Sequence, residues 1–220
     1  MTLQGALATL LSRYSGETDI VVGSPIANRN RREIESLIGF FVNTLVLRTS
    51  LEGNPSFEQL LQQVRETTLK AYENQDVSFE QIVEALQPER SLSHSPLFQV
   101  MLVLQNTPKE TLELPGVSLS SLTQETTSAK FDLTLFMTET ETGLVGFWEY
   151  NTDLFESKTI ERMTAHLENL LTAIVNNPEQ LVGELSLLSE AERHQLLVEW
   201  NDTESEYPCL LYTSDAADEG

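Results

Sequence analysis

The run Leu97–Gln105, LFQVMLVLQ, is apolar on both of its alternating sets of positions. A strand with one wet face alternates apolar and polar residues, so a run this apolar reads as the centre of a sheet and not as its edge. A central strand needs partners, and the sequence offers five: Asp19–Gly23, Phe41–Thr49, Val117–Leu122, Phe131–Thr138 and Leu144–Tyr150. Helical patterns separate them. Leu3, Ala6, Leu7, Leu10, Leu11 and Tyr14 recur at i, i+3, i+4 and i+7, the spacing of one amphipathic face, and Ser15-Gly16 ends that helix. Asn54-Pro55-Ser56 opens a long helix with Phe57, Leu60, Leu61, Val64, Thr68 and Ala71 on its core face. A shorter one carries Phe79, Ile82, Val83 and Leu86 and stops before Pro88. Asp153 with Glu156 has the form of a capping box ahead of a helix with Ile160, Met163, Leu167, Leu170, Leu171 and Ile174 in its stripe. Ser189 with Glu192 is a second such box, opening a helix to about Glu199. The expected fold is a mixed α/β lobe followed by a linker with a short helix.

One residue sits oddly in this pattern. Strand alternation puts Phe41, Asn43, Leu45 and Leu47 on one face and Val42, Thr44, Val46 and Arg48 on the other, both largely apolar. The strand is therefore expected to be covered on both sides, with the Asn43 amide pointing into something. A buried amide without partners costs about 1–3 kcal/mol. Either backbone satisfies Asn43, or it faces a wet cavity where a ligand binds.

Chemistry of the commoner kinds has no foothold here. The balance of 13 Lys+Arg against 34 Asp+Glu, net −21, argues against nucleic acid or an anionic membrane as partner. No apolar run approaches the ~18–20 residues of a membrane helix, and Met1 leads directly into a helix pattern without a signal peptide. The single cysteine, Cys209, fits a cytoplasmic protein. The three histidines are His94, His166 and His194. His166 is expected to be partly exposed on its helix and His194 exposed on the linker helix; His94, in a Ser-rich loop before the central strand, has more scope for function. There is no G-x-S-x-G elbow, no phosphate loop and no cluster of metal ligands. No catalytic residue is assigned within the chain, and no metal is expected.

Four segments together carry a resemblance. They are RYSGETDIVVGSPIANRNRREIESLIGFFVNTLVLR from Arg13, NQDVSFEQIVEAL from Asn74, PERSLSHSPLFQVMLVLQN from Pro88 and KFDLTLFMTETETGLVGFWEYNTDLFESKTIERM from Lys130. In this order and at these separations the chain closely resembles the condensation domains of nonribosomal peptide synthetases, over about Thr2–Pro208. That family has two lobes, each resembling chloramphenicol acetyltransferase, around a tunnel. The resemblance implies an α/β two-layer sandwich of the CoA-dependent acyltransferase kind. It implies amide formation between two carrier-bound thioesters, with the acceptor amine attacking the donor carbonyl. The family's His-His-x-x-x-Asp-Gly motif lies in the N-terminal lobe, and this sequence has no adjacent histidines. The chain thus resembles the C-terminal lobe alone, expected to be inactive by itself.

By the same resemblance Asn43, in FVNT, and Ser24, in GSPIANR, would face the substrate tunnel. Arg48, Asn74 and Asp76 would be structural or touch the other lobe. Asn74-Gln75-Asp76 stands where the family often has His-Gln-Asp, and Arg90-Ser91 where it commonly has Arg-Asp. No cofactor is expected to bind directly; 4′-phosphopantetheine would arrive on partner carrier domains upstream and downstream. Residues 1–182 are expected to form the lobe. Residues 183–208, ELSLLSEAERHQLLVEWNDTESEYP and its neighbour, would be a linker towards an adenylation domain. Residues 209–220, CLLYTSDAADEG, share no pattern with the rest and read as a non-native, adapter-derived tail. The alternative from another functional class is a non-catalytic module that docks carrier proteins.

Overall fold

The computed structural model describes residues 1–89, 95–106 and 128–204. The expected strand at Val117–Leu122, His94, Arg90-Ser91 and the tail from Cys209 lie outside the described residues. The chain divides into two compact units, Met1–Leu187 and a second beginning at Leu188.

The first unit is built in the order α1 (Thr2–Ser15), β1 (Asp19–Ile26), α2 (Arg32–Glu35), β2 (Asn43–Ser50), α3 (Phe57–Glu73), α4 (Phe79–Leu86), β3 (Val100–Gln105), β4 (Leu133–Thr140), β5 (Gly143–Tyr150) and α5 (Ser157–Asn176). One sheet runs β2-β1-β3-β4-β5, with β3 at its centre as its apolar run requires. The β1–β3 and β3–β4 pairs are parallel; the outer pairs, β1–β2 and β4–β5, are antiparallel. Local chemistry places the helix ends. Gly16 closes α1 in the left-handed region at φ 77°, a conformation that a Cβ disfavours. Ser56 with Gln59 and Ser78 with Gln81 form reciprocal capping boxes at the starts of α3 and α4.

Helices α1, α3 and α5 cover one face of the sheet. Their Leu7, Leu10, Leu60, Val64, Met163 and Leu170 pack with Val22, Leu102, Leu133 and Leu135 in a single core. The outer part of the other face is open: Phe136 stacks on Phe147 at 4.6 Å, and Phe147 and Val145 are exposed.

Four expectations need correcting. The sequence makes α1 amphipathic, but every residue from Gln4 to Leu10 is buried, because α3 and α5 flank it above β1. Strand β2 is fully covered on one face only: Leu45, Leu47 and Thr49 are buried, whereas on the other face Thr44 and Val46 are half-buried and Arg48 is exposed. Asp153 and Glu156 do not form a capping box. The Asp153 amide instead donates to Asn151 Oδ1 at 3.0 Å in a tight turn, and α5 begins later, after Glu156. His166 is buried, not partly exposed; it sits three residues beyond Met163 on the core side, with Tyr14 Oη at 2.7 Å from its Nδ1.

Residues 183–187 pack with the first unit, where Leu185 and Leu187 are buried. Arg13 holds them there, donating to the carbonyls of Gly183 at 2.8 Å and Leu185 at 3.2 Å. In the second unit the Ser189–Glu192 box forms as expected and opens α6 (Glu190–Leu197), and His194 is exposed. Among the described residues no helix is long and apolar enough to cross a membrane.

Candidate functional site

The antiparallel register pairs Ser24 with Leu45 and Ile26 with Asn43, which sets Ser24 and Asn43 at the same end of the β1–β2 ladder. Strand alternation puts both on the face that carries Val22 and Leu47. Each is half-buried. The chain leaves β1 here, turns through α2 and returns at Asn43.

The Asn43 amide is fully engaged. Its Nδ2 donates to the carbonyls of Gln75 and Val77, both at 2.8 Å. Its Oδ1 accepts from the amides of Thr44 at 2.9 Å and Phe79 at 3.2 Å. An amide side chain has two donors and two acceptor lone pairs, so all four positions are filled. Asn43 therefore clamps the α3–α4 connection onto the start of β2, which answers the question of its partners: they are backbone.

Asn74 and Asp76 belong to that connection. Asn74 caps the end of α3, its Nδ2 donating to Lys70 O at 2.8 Å. Asp76 Oδ1 accepts from Asn30 Nδ2 at 3.4 Å and so reaches the loop that follows β1. Arg48 lies at the opposite end of the ladder, paired in bidentate fashion with Asp19 on the neighbouring strand at 2.7–3.1 Å. Those hydrogen bonds hold the Asp19 carboxyl below its usual value; desolvation pushes the other way, and the opposite charge of Arg48 adds to the lowering. Arg48 is thus a strand-to-strand tie away from the Asn43 cluster.

Aromatic packing completes the cluster. Phe98 is buried against Gly23, where any Cβ would lie 2.3 Å from its ring. Phe98 also meets Phe79 edge-on at 5.6 Å and Phe131 at 5.2 Å. Segments far apart in sequence, starting near Gly23, Asn74, Pro96 and Lys130, thus converge at one end of the sheet.

Arg29 is a residue the sequence did not single out. It donates to the carbonyls of Ile34 and Glu35, and its guanidinium lies 4.3 Å over the Phe41 ring. Its partners are main-chain carbonyls, which leave no mark in a residue pattern. Among the described residues no three His, Cys, Asp or Glu side chains converge as metal ligands would. Two open clefts of about 510 Å³ each lie at the Asp19 end of β1, away from Asn43. One is lined by Arg48, Gln63 and Lys70, the other by Tyr14, Asp132 and Phe155. What the Asn43 end offers is a backbone-bonded wall with half-buried polar groups and, among the described residues, no histidine or cysteine.

Comparison with known proteins gives this wall a context. Residues 1–197 match the family described as Condensation domain. The chain is 56% identical over 205 residues to a linear gramicidin synthase protein of Brevibacillus parabrevis, covering 92% of this chain and 3% of that protein. It is 44% identical to the dimodular nonribosomal peptide synthase of Bacillus subtilis (strain 168), covering 96% of this chain and 9% of that protein. Less than a tenth of either relative is therefore spanned. Among solved structures, holo-AB3403, a four-domain nonribosomal peptide synthetase bound to AMP and glycine, superposes with a TM-score of 0.79 at 26% identity, over 87% of this chain and 16% of that one. The X-domain from teicoplanin biosynthesis gives 0.78 at 30% identity, over 85% and 43%.

Proposed function

Because the chain belongs to the condensation-domain family, we propose that it is the C-terminal lobe of a domain that joins two carrier-bound thioesters through an amide bond. The convergence of the four family-like segments at the Ser24–Asn43 end of the sheet carries this reading. In it, that end is one wall of the substrate tunnel, and the catalytic histidine stands on the N-terminal lobe, in a His-His-x-x-x-Asp-Gly motif.

Amide formation needs the acceptor amine held against the donor carbonyl, and the thiol of the donor pantetheine leaves as the tetrahedral intermediate collapses. Orientation of two tethered reactants accounts for much of the barrier reduction such a site can supply. The wall built here serves orientation. Asn43 contributes by fixing the α3–α4 connection, since its own hydrogen-bonding positions are filled by backbone. Ser24, half-buried beside it, is the side chain proposed to face substrate. The pantetheine arms come with the carriers, the chain binds no cofactor of its own, and the synthetase works in the cytoplasm. Residues 1–182 form the lobe in this reading, and 183–208 lead to an adenylation domain.

Sequencing the source DNA across both ends of this coding segment tests the assignment. A His-His-x-x-x-Asp-Gly motif in frame upstream and an adenylation domain in place of Cys209–Gly220 are expected. A gene that begins at Met1 and stops near Gly220 overturns it, and leaves a carrier-docking module as the reading.

A further inference from the structure

The cleft beside the first residues of β1 has the make-up of a ligand site. The parallel strands β1 and β3 pair at Val22–Val100 and Gly23–Met101. Asp19–Val21 precede the first of these pairs, and the cleft opens beside them, bordered by α1, the start of β4 and the start of α5. Its apolar floor is Ile20, Leu133 and Met163, all buried. At about 510 Å³ it has the size of a small-molecule site, and an apolar lining with a few fixed polar groups is the usual make-up of one. Nothing in the structure shows what covers the exposed apolar clusters at Leu37–Val42, Val145–Phe147 and Leu197–Trp200, whereas the cleft carries its own selecting group.

That group is Asp132. Backbone fixes it on both sides, its amide donating to Gln99 O at 3.1 Å and its carbonyl accepting from Asn151 N at 3.0 Å. The residue is half-buried, and among the described residues its carboxylate has no hydrogen-bond donor and no cation. A carboxylate in that position is open to a ligand's donor, and charge-assisted hydrogen bonds are about twice as strong as neutral ones. The charged residues lining the cleft are Glu17, Asp19 and Asp132, and of these Asp19 is already paired with Arg48. Among the described residues no lysine or arginine lines it. The rings of Tyr14 and Phe155 also line it, and aromatic faces attract cations.

We propose that this cleft binds a small amphiphilic amine, with its ammonium on the Asp132 carboxylate and its alkyl or aryl body on the Ile20–Leu133–Met163 floor. Charge complementarity selects this occupant. An apolar anion would meet carboxylates only, and a purely hydrophilic cation would leave the floor wet. The cleft lies at the Asp19 end of β1, away from Ser24 and Asn43. Its ligand is therefore separate from the groups joined in the condensation reading, and neither inference rests on the other.

The test is an NMR titration of the full chain with phenethylamine at low ionic strength. The side-chain methyl signals of Ile20, Leu133 and Met163 are expected to shift together and saturate, with a dissociation constant of about 1 mM or tighter. Phenethyl alcohol, which lacks the charge, and phenylpropionate, which reverses it, are expected to bind about tenfold more weakly or worse. Asp132→Asn should weaken phenethylamine binding about tenfold. Thr159→Trp, which fills the cleft from a half-buried position on α5, should abolish the shifts. The comparison of the three probes uses the unsubstituted chain, so it decides the matter even where a variant fails to fold. No saturable shift with phenethylamine, equal affinity for the alcohol, or an affinity unchanged in a folded Asp132→Asn variant each overturns the proposal. So does saturable binding of the peptide Leu-Lys-Leu with none of phenethylamine, which would make the cleft a contact for a protein segment.

Discussion

Replacing Asn43 by alanine removes three tertiary hydrogen bonds, to Gln75 O, Val77 O and Phe79 N, and one local bond to Thr44 N. A typical intramolecular hydrogen bond contributes about 0.5–1.5 kcal/mol net. Three of them bound the loss at about 1.5–4.5 kcal/mol, and water reaches this part-buried site to replace some of them. The expected cost is therefore about 2 kcal/mol. For a unit of this size that lowers the melting temperature by roughly 4–8 °C. Asn43→Asp gives a sharper test. The introduced carboxylate keeps the acceptor role towards Thr44 and Phe79, but has no proton to donate and sets a negative charge against two carbonyl oxygens. At neutral pH it should destabilise more than alanine. Folding raises the pKa of that carboxyl, because only its protonated form can donate. The folded variant then takes up a proton as pH falls, so its deficit relative to the wild type shrinks on acidification. Urea unfolding followed by circular dichroism at about pH 7 and about pH 5 reads both effects. An Asn43→Ala variant within about 0.5 kcal/mol of wild type would refute the clamp, as would an Asn43→Asp deficit that does not change with pH.

Other perturbations probe the surrounding frame. Gly23→Ala forces a Cβ to 2.3 Å from the ring of Phe98, which is itself packed by Phe79 and Phe131, so a loss of about 1–3 kcal/mol in urea unfolding is expected; an unchanged midpoint would mean that the ring can move aside. Arg13→Met removes the bonds to the carbonyls of Gly183 and Leu185, and should cost about 1–2 kcal/mol and expose the chain near residues 183–188 to limited proteolysis before the rest. Arg48→Gln should raise the titration midpoint of Asp19 measured by NMR, since Arg48 is what holds that carboxyl low. The stabilisation from this pair is present above the normal carboxylate range and fades as pH falls through the lowered Asp19 value. With side-chain exposures of 73% and 48% it should be small and weakened by salt, and an unchanged Asp19 midpoint would contradict the pairing.

Much of the frame was legible in the residues themselves. Leu97–Gln105 had to be central, and β3 is. Ser189 with Glu192 signalled a helix start through local chemistry and forms one. Features that depend on distant partners were not legible. Helix α1 looked two-faced because a sequence shows only its own periodicity, and the flanking of α1 by α3 and α5 is a tertiary fact. The same limit applies to His166, whose burial depends on α1 bringing Tyr14 to it. Alternation showed that Asn43 needed partners, but backbone carbonyls 32 and 34 residues away carry no sequence signature. Ser24 and Asn43 were linked through motif resemblance, and the β1–β2 register brings them to one end of the sheet. Arg48 was set apart from them as structural or touching the other lobe, and its pairing with Asp19 lies at the far end of the ladder.

The most direct measurement is amide formation by the two-lobe protein in which this chain replaces the matched residues of the linear gramicidin synthase. Donor and acceptor thioesters are loaded on their carrier domains and the product is read by mass spectrometry. Product is expected from the two-lobe protein and not from a variant lacking the histidines of the His-His-x-x-x-Asp-Gly motif, with none from this chain alone. A correctly folded two-lobe protein that binds both carriers and makes no amide would contradict the assignment of this chain as a working half of a condensation domain.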